Sequence, residues 1–115
     1  LDGSLLSHNR NIVLKDSKVL PLYEKYFEID ALIFKDVKSR FATIRNRKTG
    51  ESASVEFKGF DYLLLWHKPF APYLCIEPWA GICPSVDSGY DITLKEGILK
   101  LDSGKTNILK HTLYY

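Results

Sequence analysis

The chain has 115 residues, 45% hydrophobic and 26% charged, the make-up of one folded domain rather than of a disordered segment. Sixteen Lys and Arg stand against fourteen Asp and Glu, with no basic stripe and no acidic block, which excludes a nucleic-acid surface or a charged tail as the organising feature. No apolar run approaches the roughly 18 to 20 residues that span a bilayer, and the first residues lack a secretory pattern, so the expectation is a cytoplasmic protein with no membrane partner.

Cys75 and Cys83 are too few for a disulfide scaffold and lack the His or Cys companions of a zinc site, so reduced thiols are expected. The chain contains no Met and begins with Leu1, which points to a fragment of a longer protein. Residues 1–28 read as a connecting arm: Asn11 to Val13 as a short strand, Leu20-Pro21-Leu22 extended, Tyr23 to Phe27 as a helical turn. From residue 29 to 115, β-rich runs alternate with turn residues, at Asp30 to Lys35, Ser39 to Arg45, Ala53 to Lys58, Tyr62 to His67, Tyr73 to Trp79, Gly97 to Asp102 and Ile108 to Tyr114. The fold class predicted is all-β, an antiparallel β-sandwich. Within Ala53 to Lys58, Ala53, Val55 and Phe57 alternate with Ser54, Glu56 and Lys58, the mark of a half-buried strand. Asn46 to Gly50 and Ser103 to Thr106 are polar turns that predict two hairpins. Tyr62-Leu63-Leu64-Leu65-Trp66 is apolar on both faces and needs cover on each, which favours an absent amino-terminal half.

The segment Tyr73-Leu74-Cys75-Ile76-Glu77-Pro78-Trp79 holds one carboxylate in a hydrophobic strand. Alternation puts the Glu77 side chain on one face with Tyr73, Cys75 and Trp79. Weakly polar and aromatic surroundings favour the neutral form of a carboxyl group, which suits a residue that must accept and return a proton. The plainer reading of Glu77, a strand-end carboxylate paired with a Lys or capping a loop, stands beside it.

Cys75-Ile76-Glu77-Pro78-Trp79 followed by Lys95-Glu96-Gly97-Ile98 resembles the galactose-mutarotase-related branch of the aldose 1-epimerase family. Phe27, Asp30-Ala31-Leu32-Ile33-Phe34, Ser39, and the run Phe60 to Trp66 leading into Pro69 and Pro72 follow the same order, so the resemblance covers about Leu20 to Tyr114. It implies the carboxy-terminal portion of a large antiparallel β-supersandwich that interconverts the α and β anomers of an aldose sugar, or a sugar phosphate, with no cofactor. By similarity Glu77 is the general base and Asp30 holds sugar hydroxyls, the alternative for Asp30 being a strand-start carboxylate that satisfies loop amides. The family's general-acid His lies in the amino-terminal half, which this chain lacks. That half is therefore an expected partner, and exposed sheet edges predict a homodimer if the fragment folds alone. Pro78-Trp79 differ from the residues that follow the Glu in the mutarotases proper, so the identity of the sugar does not carry over.

Among other candidates, Trp79 beside Glu77 is the better sugar-stacking ring and Trp66 reads as core. A hairpin around Lys68 to Pro72 sets His67 opposite Tyr73, roughly 13 Å along the strand from Glu77, which argues against His67 as the acid and gives it a role at the surface or mouth of the site. His8 and His111 read as surface residues, Cys75 as packing, and Lys68 and Lys95 as solvated lysines able to meet a phosphorylated sugar. Gly104-Lys105-Thr106 lacks the first glycine of a phosphate-binding loop and reads as a hairpin turn. Two further functions compete with the isomerase: a non-catalytic carbohydrate-binding module on the same face, and a structural β-domain with no sugar site.

Overall fold

The computed structural model describes residues 5–7 and 12–115. Six strands make up nearly all of the regular structure: β1 (Leu32–Lys35), β2 (Phe41–Arg45), β3 (Ser52–Glu56), β4 (Tyr62–Trp66), β5 (Cys75–Trp79) and β6 (Thr112–Tyr114). They form two antiparallel three-stranded sheets, ordered β1-β4-β5 and β2-β3-β6, an all-β arrangement consistent with a β-sandwich.

The β2–β3 hairpin forms where the polar turn predicts it. The Asn46 side chain accepts from the amides of Lys48 and Thr49 at 2.9 and 3.3 Å, and Gly50 takes the positive φ of 80° that closes the turn. β3 then shows the expected alternation at Val55 and, just past its end, Phe57, both buried, whereas Ala53, expected on the same face, is exposed.

β4 is the central strand of the first sheet, and its doubly apolar sequence is covered on both sides. Residues directly opposite in an antiparallel ladder share a face. The register Leu63↔Pro78 and Phe34↔Leu63 therefore points Phe34 and Leu63 to one side, with Ile76 beside them. There they pack with Phe57, Phe60, Val37 and Ala42, which joins the two sheets. The other side carries Tyr62, Leu64 and Ile33, packed against Ile82, Cys83 and Leu6. Leu65 and Trp66, at the far end of β4, are only half-buried.

Three sequence expectations are corrected. Gly97 to Asp102 is not a strand: Gly97 sits at φ 70° in a turn closed by the Ile98 amide on the Lys95 carbonyl, and Leu99 and Leu101 are both exposed. Asp102 to Lys105 does form a turn, but no hairpin surrounds it, because β6 pairs with β3 instead of with a neighbour in sequence. Ile12 and Val13 lie outside any strand, and Asn11 is outside the described residues. In the arm, a 3₁₀ turn over Glu24–Tyr26 matches the expected helical turn. No helix among the described residues is long and apolar enough to cross a membrane.

Candidate functional site

The outward face of the first sheet, away from the sheet–sheet core, carries the candidate chemistry. The pairs Tyr62↔Trp79, Leu64↔Glu77 and Trp66↔Cys75 place these six residues on one face in two adjacent rows. Glu77 stands in the middle of its row, half-buried, opposite Leu64.

Glu77 and Trp79 are two apart on β5, and the indole Nε1–H of Trp79 donates to Oε2 of Glu77 at 3.0 Å. A bond from a neutral donor to a carboxylate is of the stronger, charge-assisted kind, so it fixes the direction of the acid group. The sequence expectation that these two side chains share a face is met, and a direct hydrogen bond joins them. Pro78 between them faces the opposite side, and a residue without an N–H is tolerated in β5 because it is an edge strand.

Behind Trp79 a second cluster braces the sheet. Tyr62 is buried, and its hydroxyl donates to Oε1 of Glu96 at 2.9 Å. Lys35, on the same face of β1, also reaches Oε1 of Glu96. The Glu96 carbonyl accepts from the Ile82 amide at 3.3 Å, so the turn after β5 is tied to the turn at Glu96. Burial, reinforced by the bond to Glu96, pushes the Tyr62 phenol up to about 12 from an ordinary value of 10.0. Gly97 is required here: a Cβ would come within 2.8 Å of the Tyr62 ring and 3.1 Å of the Gly81 Cα. The Lys95 to Ile98 motif thus has a packing explanation of its own.

A groove of about 530 Å³ opens beside this cluster, lined by Trp79, Gly81, Cys83, Lys95 and Ile98 among others. Burial raises the Cys83 thiol above its usual value, with the Asp30 carboxylate adding to the shift, so the thiol stays protonated and poorly nucleophilic. Both cysteines are free thiols. Asp30 is half-buried and its Oδ1 accepts from the Ala31 amide at 2.7 Å, the loop-satisfying geometry weighed for it from sequence.

His67 departs from its expected surface role. It is 7% exposed, its ring centroid lies 4.3 Å from that of Phe27, and Nδ1 donates to the Lys68 carbonyl at 2.8 Å. Nε2 lies 3.8 Å from the Glu24 carboxylate. It is a core histidine that holds the arm against the β4–β5 loop. The hairpin register also differs by one residue from the expected one, since Trp66 pairs with Cys75. Continued alternation from Leu63 and Leu65 carries His67 to the face opposite Glu77. His111 is exposed, with its ring 6.5 Å from Phe60, and His8 is outside the described residues.

Trp66 is also corrected. It lies half-buried on the Glu77 face, its ring tilted 55° to that of Tyr73 at 6.3 Å, instead of in the core. Alternation along β4 from Tyr62 and Leu64 could have signalled this. Among the described residues no group of three His, Cys, Asp or Glu side chains is arranged to hold a metal ion.

Two curated relatives share sequence with the chain: the plasmid and chromosomal forms of protein LacX from Lactococcus lactis subsp. lactis, each 34% identical over 107 residues. The match takes in 90% of this chain and 36% of each relative, so the chain spans about a third of the length of the curated relatives it matches. No family model and no solved structure matches.

Proposed function

We propose that this chain carries the general base of a carbohydrate isomerase that interconverts the α and β anomers of an aldose, with Glu77 as that base. The observation that carries the reading is the Glu77–Trp79 contact, a lone carboxylate oriented by an indole N–H on a half-exposed sheet face. In the proposed reaction the carboxylate takes the proton from the anomeric hydroxyl while an acid protonates the ring oxygen. The C1–O5 bond breaks to give the open-chain aldehyde, rotation about C1–C2 presents the other carbonyl face, and the steps reverse with no net proton change. Asp30 is carried as a sugar contact on the resemblance alone and Trp79 as the residue that orients the Glu77 carboxylate, and the protein works in the cytoplasm with the remainder of its polypeptide supplying the acid. An aldose or its phosphate is the partner.

A second reading, a non-catalytic carbohydrate-binding module, is favoured by one specific observation. Among the described residues neither His67 nor His111 stands by Glu77: the first is buried against Phe27 and the second lies beside Phe60.

Polarimetry on freshly dissolved α-D-glucose and α-D-galactose tests the two. Acceleration by the protein in its full length that is lost in Glu77→Gln supports the isomerase. The amide oxygen of Gln can still accept from Trp79, so the substitution removes the base without removing the contact. No acceleration by the full-length protein, with sugar binding retained, supports the module instead.

A further inference from the structure

We infer that Trp66 and Tyr73 form the platform on which the sugar ring lies, with its anomeric end at Glu77. The inference rests on the sugar-site reading of the Glu77 face and adds residues that neither the sequence resemblance nor the carboxylate itself singles out.

Three observations carry it. Trp66 is a diagonal cross-strand neighbour of Glu77, about 7–8 Å away at the backbone and within reach of a large ring. Its ring and that of Tyr73 meet at 55° with centroids 6.3 Å apart, and Tyr73 is 48% exposed, so the pair makes an open aromatic corner. The loop that presents Tyr73 is held from below, where the Phe70 amide donates to Glu24 and His67 is packed on Phe27.

Trp79 is differently placed. Its ring packs with the cluster of Tyr62, Leu64 and Ile82, and its N–H is committed to Glu77. It is a positioning residue for the carboxylate. On the Trp79 side of Glu77 the face carries the Lys35–Glu96–Tyr62 cluster, with the groove beside it. A pyranose has an apolar C–H face and a polar rim, so it stacks on an aromatic surface while its rim hydroxyls meet a carboxylate alongside. Among the described residues, the Trp66–Tyr73 side of Glu77 offers both at one ring's distance.

The test separates binding from turnover by using 1,5-anhydro-D-glucitol, a pyranose without the anomeric hydroxyl, next to D-glucose. Binding to the full chain is followed by tryptophan fluorescence and by the indole and Tyr73 ring signals in NMR spectra. Tyr73→Ala, exposed enough to leave the fold intact, is expected to weaken both sugars about 3- to 10-fold, whereas Trp66→Phe stays within about twofold because a ring remains. Unchanged affinity in Tyr73→Ala, sugar-induced shifts confined to the Trp79 indole, or no binding of either sugar overturns the platform. Binding that is sensitive to Tyr73→Ala in a protein without mutarotation upholds the platform and removes only the isomerase reading.

Discussion

The Tyr62 hydroxyl donates to the Glu96 carboxylate across 2.9 Å, tying the central strand to a turn 34 residues further along the chain. Because the phenol is held above its unfolded value, up to about 12 from 10.0, the folded state keeps a proton that the unfolded state releases first. The corresponding stability is fully present below about pH 10 and is lost as pH rises through about 12. Tyr62→Phe is expected to flatten that part of the stability–pH curve, at a cost near neutrality of about 1 kcal/mol for the missing bond. Denaturant midpoints from pH 8 to 12 for both proteins measure it, and an alkaline loss of the same size in the variant would refute the assignment.

The same cluster makes Gly97 intolerant of a side chain. Gly97→Ala is expected to cost about 3 kcal/mol, combining left-handed backbone strain with a Cβ at 2.8 Å from the Tyr62 ring. Gly104 has a similar φ, 73°, but open space around it. Gly104→Ala should therefore cost only the backbone part, about 1–2 kcal/mol. Equal losses in urea unfolding would mean that the contact with Tyr62 is unimportant.

Trp79 acts on Glu77 through its N–H. Trp79→Phe keeps most of the apolar surface and removes the donor, so in an active full-length protein kcat should fall roughly tenfold with KM changed less than about twofold. A rise in KM with kcat unaltered would instead make Trp79 a sugar contact.

His67 is expected to matter for stability and not for proton transfer. His67→Gln should lower stability by about 1–2 kcal/mol, since the ring loses its packing on Phe27, and leave the pH profile of mutarotation in place. Loss of activity in a variant that is still folded would return His67 to the acid role.

Much of the sheet was legible because local patterns agreed with it. The alternation at Val55 and Phe57, the Asn46–Gly50 turn and the common face of Glu77 and Trp79 all follow from the period of two and from turn chemistry. His67 was misread through the hairpin register, whereas Trp66 was given to the core only because its strand is apolar on both faces. The β4–β5 ladder is registered one residue away from the expected one, with β4 ending at Trp66, and a single residue decides which face a strand-end side chain joins. That register depends on how the loop from residue 67 to 74 folds back, through the Glu24 contact with the Phe70 amide and the burial of Phe27, neither of which is local in sequence.

By itself the sequence determined the β-class, the strand cores and the singular position of Glu77, because hydrophobic period and turn residues act over a few neighbours. Only the tertiary structure decided that Gly97 to Asp102 is not a strand, that β6 joins β3, and that the Glu77 face has its open aromatic corner at Trp66 and Tyr73. Those outcomes depend on which distant segments meet. A run of apolar residues states that it will be buried or paired, but its partner is chosen by register, by space such as that between Gly97 and Tyr62, and by bonds such as Tyr62 to Glu96 that form only after the chain has closed on itself.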